Sequence, residues 1–260
     1  MARAAAIKRA GRSLWEQLAD RLLLLYTLKD LNGRGARVYE TALQKLVFLA
    51  EREMLASRVK GFNYNFVRLD FGPYSSELKK DLVALMACGL VKDDPERGYV
   101  ITEKGRELLG RLGSLLERND DILHIIRSVN ERYGYMSLRE LLSHVYSLPR
   151  PLKGPREPIE KVKLRTPLLR RLNASRARRV LDMRPDELRL LSVATDPEVE
   201  ELHFVEVGGH EVLLFRCRGS EYYTAVVLDL PGCISQGASL EEAVEDVREA
   251  IECYEVGEES

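Results

Sequence analysis

Apolar positions recur every three or four residues over most of the first 150 residues and at every second residue in the strands between 202 and 229, so the chain reads as helices first and a sheet with one closing helix later. Leu18, Leu22, Leu25, Tyr26 and Leu28 predict a helix over 14–31, ended by Asn32-Gly33. Leu43, Leu46, Val47, Ala50 and Met54 predict a second over 38–57. Residues 62–71 alternate aromatic and polar side chains, which predicts a strand broken by Gly72-Pro73. Ser75 or Ser76 then caps a third helix that turns Leu78, Leu82, Leu85 and Met86 inward. After Gly89, the runs 90–91 and 99–101 flank a polar turn and predict a hairpin, and Thr102 caps the helix that follows. Two more helices, over 119–133 and 137–148, complete this part. Helix, helix, helix, hairpin, helix is the order of a winged helix-turn-helix domain.

Pro149, Pro151, Pro155 and Pro158 predict an extended linker, with short helices over 174–181 and 185–191. Two strands, 202–207 and 211–218, meet at Gly208-Gly209. A third carries Thr224, Val226 and Leu228 in alternation with Ala225, Val227 and Asp229, until Pro231-Gly232 turns the chain into a short run over 233–236. Ser239 and Glu242 have the spacing of a capping box. In the helix they open, Leu240, Ala243, Val244, Val247, Ile251 and Tyr254 form one stripe, while Glu241, Glu245, Asp246, Glu249 and Glu252 face water. The expected fold class is α+β: a mostly helical winged-helix domain over 1–148, a basic proline-containing linker over 149–200, and a small β-β-β-α domain over 201–260.

Three short motifs of the last domain, Asp229-Leu230-Pro231-Gly232-Cys233, Gln236-Gly237 and Leu240-Glu241-Glu242-Ala243, resemble the HicB-type antitoxin domain, a degraded RNase H-like fold. The resemblance implies a protein that binds and silences a small basic ribonuclease of the HicA type. More weakly, Gln44-Lys45-Leu46-Val47-Phe48-Leu49, Phe62-Asn63-Tyr64-Asn65-Phe66, Phe71-Gly72-Pro73-Tyr74-Ser75-Ser76-Glu77-Leu78 and Gly89-Leu90-Val91 look like the YwgA and Panacea-like families, the latter also found as antitoxin domains. HicB-type proteins usually place a DNA-binding module after the antitoxin fold. Here that module is expected in the N-terminal domain.

Charge sharpens the division. Residues 196–260 hold 17 acids and 3 bases, a net of −14, so the rest carries +13 against the total of −1. A basic body suits an anion such as nucleic acid, and an acidic tail domain suits a basic protein, although an acidic helix face can equally be a solvated one. Between 150 and 179 there are 11 bases and 2 acids, which fits either a solvated linker or a phosphate contact.

The residues expected to meet a toxin are Asp229, Pro231, Gly232, Cys233, Glu241 and Glu245. Those expected to meet operator DNA are Ser76, Lys79 and Lys80 on the third helix, and Lys92, Arg97 and Lys104 on and after the hairpin. Cys88, Cys217, Cys233 and Cys253 lack metal or disulfide spacing, and the four histidines lack an HExxH pattern. No phosphate loop or activated nucleophile is legible, so the expectation is a non-catalytic binding protein without cofactor. Without a long apolar run or a signal-like start, it is expected in the cytoplasm, with no membrane partner, as a homodimer or higher even oligomer. Two other readings stay open: a scaffold whose antitoxin-like domain only dimerises, and a metal-dependent nuclease.

Overall fold

A computed structural model of the chain describes residues 11–151 and 157–258. The α+β class holds. The first helix, α1 (Leu14–Gly33), is the hub of the larger part, because Leu18, Ala19, Leu22, Leu23, Leu24, Leu25, Leu28 and Leu31 are all buried. A helix apolar on nearly all sides has to be surrounded by other elements. Helices α2 (Glu40–Ala56), α3 (Ser76–Ala87), α4 (Glu103–Arg111), α5 (Gly113–Arg118), α6 (Asp120–Tyr133) and α7 (Leu138–Ser147) build the rest of the body. The cap expectations hold locally: Ser75 Oγ accepts from Leu78 N and Thr102 Oγ1 from Gly105 N.

Ions are also buried beside α1. Arg12 Nη1 lies 2.6 Å from Asp20 and 2.5 Å from Asp81, the Tyr64 hydroxyl donates to Asp81 at 3.1 Å, and Asp20 accepts the Asn63 backbone N–H at 2.6 Å. Buried charges persist only when paired in this way, so the cluster pins the residues before α1 and the 61–65 segment in one arrangement.

Between α2 and α3 run β1 (Val59–Lys60), β2 (Phe66–Leu69) and β3 (Gly72–Tyr74). The strand expected over 62–71 is confined to β2. Residues 61–65 lie in irregular backbone, whose polar groups bond to Asp20, Glu51 and Glu77 rather than to a neighbouring strand. The hairpin is present as β4 (Val91–Asp94) and β5 (Gly98–Ile101). The element order expected of a winged helix is therefore there, but residues 57–75 separate α2 from α3 where a helix-turn-helix has a turn of about 3–4 residues. The structure supports the coarser class and leaves the winged helix unestablished.

The described part of the stretch after Ser147 differs from the extended linker expected there. Part of it, including Pro155, lies outside the described residues. From 157 onward the chain is woven into the body: β6 (Pro167–Leu169) pairs antiparallel with β2, and β7 (Arg179–Val180) pairs parallel with β1. Ile159, Leu168, Leu169 and Leu181 are buried, and this apolar content overrides the proline and arginine content that predicts a linker. In place of the helix expected over 174–181 there is one 3-10 turn, Ala174–Arg176, followed by β7. Helix α8 (Pro185–Ala194) then packs against α1 through Leu190, Leu191 and Ala194.

The C-terminal sheet is antiparallel with order β11-β10-β9-β8, from β8 (Val199–Val207), β9 (His210–Cys217), β10 (Tyr223–Val227) and β11 (Ile234–Gly237), and α9 (Leu240–Glu258) lies across it. Registers Val205↔Val212, Ala225↔Leu214 and Val227↔Val212 put Val205, Val212, Leu214, Ala225 and Val227 on the α9 face. Alternation sends Leu202, Phe204, Leu213, Val226 and Leu228 to the other face, where they join the core of the body. The sheet is thus covered on both sides. Arg189 Nη1 donates to the Leu228 carbonyl, Arg111 meets Glu211 at 2.6 Å, and the Arg111 guanidinium lies 3.7 Å over the Phe204 ring.

Candidate functional site

The motif residues are explained first by the backbone. Gly237 closes β11 opposite Tyr223, and a Cβ there would stand 2.3 Å from Ala243 N. Only glycine lets the first turn of α9 come down on the end of the strand. Ser239 Oγ then accepts from Glu242 N at 3.2 Å, and the Glu242 carboxylate reaches back to Ala238 N at 2.7 Å, one residue earlier than in a capping box.

From this start α9 runs with Ala243, Val247 and Ile251 on the sheet and Glu241, Glu245, Asp246, Glu249 and Glu252 exposed. Between its first two turns and strands β8 and β9 opens a groove of about 420 Å³. Val205, Leu214, Leu240 and Val244 give it an apolar floor, and His203, Glu241, Glu245 and Arg248 form its polar rim. Apolar ground flanked by exposed charge is suited to hold a side chain of a partner and to orient it.

At the other end of α9, roughly 22 Å from the cap at about 1.5 Å per residue, lies the turn that follows β10. Asp229 is exposed and holds His210 Nδ1 at 2.8 Å, while His210 Nε2 meets Glu255 at 3.3 Å. One imidazole therefore ties the turn, the start of β9 and the last turns of α9 together. The two carboxylates, Asp229 before Glu255, raise its pKa above the ordinary 6.5. His210 carries no function in the sequence reading, because its partners stand 19 and 45 residues away.

The residues expected to meet a toxin therefore do not converge. Glu241 and Glu245 line the groove, whereas Asp229, Pro231 and Gly232 are exposed on the distant turn, with Gly232 at φ 87°. Cys233 is buried at 4% exposure in the small core beneath α9, and that burial raises its thiol pKa.

The expected DNA residues divide likewise. On α3 the inward positions include Asp81 as well as Leu78, Leu82 and Leu85, and the Lys79 ammonium is held by Glu40. Ser76 and Lys80 are exposed, which leaves one unpaired cation for a recognition helix among the described residues. Lys92 and Arg97 are better placed, for they line a concavity of about 550 Å³ at the hairpin together with Lys29 and Arg106. Lys104 is exposed on the next helix, outside that lining.

Among the described residues no three of histidine, cysteine, aspartate or glutamate are grouped so as to hold a metal ion. No helix among them is long and apolar enough to cross a membrane.

Residues 213–258 match the family described as HicB_like antitoxin of bacterial toxin-antitoxin system. The match begins inside β9 and ends with α9, so it takes in the turn, the glycine junction and the helical wall of the groove. No curated protein and no solved structure shows a significant match to the chain.

Proposed function

We propose that this protein is a non-catalytic antitoxin that neutralises a small basic ribonuclease of the HicA type, with the groove between α9 and the β8–β9 strands as the docking surface. The observation that carries the reading is the similarity of residues 213–258 to HicB-like antitoxins, on a stretch whose exposed helix face is lined with carboxylates. Opposite charge on a basic partner accelerates encounter and fixes orientation, while the apolar floor supplies burial. The protein also represses its own operon, through the basic body rather than through the acidic sheet. Within that body Lys92, Arg97 and Lys29 around the hairpin concavity favour the hairpin side over α3.

Co-expression with a HicA-type ribonuclease tests the first part. Growth is expected to recover, the two proteins to co-elute, and affinity to fall as salt is raised past about 0.15 M. Glu241→Lys with Glu245→Lys is expected to weaken the complex at least about ten-fold, chiefly through slower association. Absence of a complex, or full neutralisation by the charge-reversed variant, defeats the groove assignment. A scaffold role without toxin predicts the first of these outcomes together with an unchanged oligomeric state.

A further inference from the structure

The segment with the highest density of positive charge, 150–179, has no part in the function proposed above for the acidic sheet. The fold of its described residues is nevertheless specific. Strand β6 fixes it to β2 and β7 fixes it to β1, the Arg150 Nε donates to the Pro167 carbonyl at 3.2 Å, and the Arg178 backbone N–H donates to the Arg58 carbonyl at 2.8 Å. Between this segment and the end of α2 lies a cleft of about 680 Å³, lined by Arg150, Arg170, Arg171 and Arg176 with Leu55 and Leu172. Exposed Arg58 and Arg178 stand beside each other on the same part of the body.

What distinguishes these arginines is that four of them line a single recess. Four exposed arginines elsewhere are neutralised within the fold: Arg106 by Glu103, Arg111 by Glu211, Arg132 by Glu53 and Arg218 by Glu200. In the cleft Arg171 is partnered by Glu16, at 3.9 Å, and by the Gly11 carbonyl, at 3.1 Å. Arg170 and Arg176 are exposed and have no carboxylate within ion-pair distance among the described residues, and neither has Arg150. Repulsion among them is sustained by strand pairing, and an external anion would relieve it.

We infer that this cleft binds the phosphodiester backbone of a nucleic acid. Guanidinium groups match phosphate oxygens in a planar two-pronged geometry, and here they are arrayed along a recess, which suits a charged strand better than a flat bilayer. Since the cleft reads charge and not base edges, binding is expected to be insensitive to sequence and steeply dependent on salt. The inference is independent of the antitoxin reading, and it names a different surface from the hairpin concavity.

Fluorescence anisotropy with a labelled mixed-sequence DNA duplex, and in parallel a labelled single-stranded RNA, tests it between about 50 and 200 mM salt. The full-length chain is compared with Arg170→Gln/Arg176→Gln and with Lys92→Gln/Arg97→Gln. Both pairs are exposed, and matched melting curves verify folding. Loss of the two cleft contacts is expected to lower the salt slope by about 1.8 on the duplex, or about 1.4 on the single strand, on whichever ligand binds. Wild-type-like binding by the cleft variant overturns the inference, whether or not the hairpin variant is impaired. So does absence of binding to both ligands at the lowest salt, or binding only to anionic lipid vesicles. A toxin complex that still forms in the cleft variant leaves the antitoxin reading standing in each case.

Discussion

His210 shows how a single side chain joins distant parts of the chain. Its ring holds Asp229 on one side and Glu255 on the other, so it acts as a clasp over the open end of α9. Because its folded pKa is raised above the ordinary 6.5, the unfolded state gives up its proton first as pH increases. The stabilisation is thus complete below about 6.5 and is lost as pH rises through the folded value. Melting temperatures of the native protein and of His210→Gln are expected to differ most near pH 6 and to converge toward pH 8–9. A gap that stays constant across that range would mean that the ring contributes by packing alone.

At the level of elements, the junction of β11 and α9 decides whether the groove exists. The helix starts where it does because Gly237 admits the Ala243 backbone, because Ser239 occupies a free N–H of the first turn, and because the Glu242 carboxylate holds the Ala238 N–H just before it. Gly237→Ala drives a methyl group to within 2.3 Å of Ala243 N, a contact that no rotamer can relieve. Loss of about 2–4 kcal/mol is expected in urea unfolding, along with a weaker toxin complex, because Leu240 and Val244 shift with the helix. A change below about 0.5 kcal/mol would show that the helix start can move freely. The opposite case is α3. Its helical pattern is sound, yet Asp81 faces Arg12 and Lys79 faces Glu40, so the element forms as expected and presents few cations.

Across the whole molecule, opposite charges are segregated while the hydrophobic core is shared. The acidic sheet rests on the basic body through Leu202, Phe204, Leu213, Val226 and Leu228, with Arg111 and Arg189 bonded across the seam. A fragment of residues 197–260 would uncover that face. It is expected to bind a hydrophobic dye and to aggregate, whereas the full-length chain, with that face covered, is expected to leave the dye unbound; gel filtration with dye fluorescence reads both. A monomeric, dye-negative fragment would mean that α9 alone suffices to stabilise the sheet.

The α+β class, the caps of α3 and α4, both hairpins, and the acidic face of α9 were determined by the sequence itself. Period-2 and period-3.6 patterns, together with turn and cap residues, act over a few positions, and such local signals survive in any surroundings. The tertiary structure alone decided what long-range contacts govern. It turned a proline- and arginine-rich linker into strands β6 and β7, placed Cys233 in a core, paired Lys79 with Glu40, and set Asp229 and Glu241 at opposite ends of one helix. The physical reason is common to all four. Burial, strand pairing and ion pairing join residues far apart in the sequence, and no local pattern records which distant partner a side chain will meet.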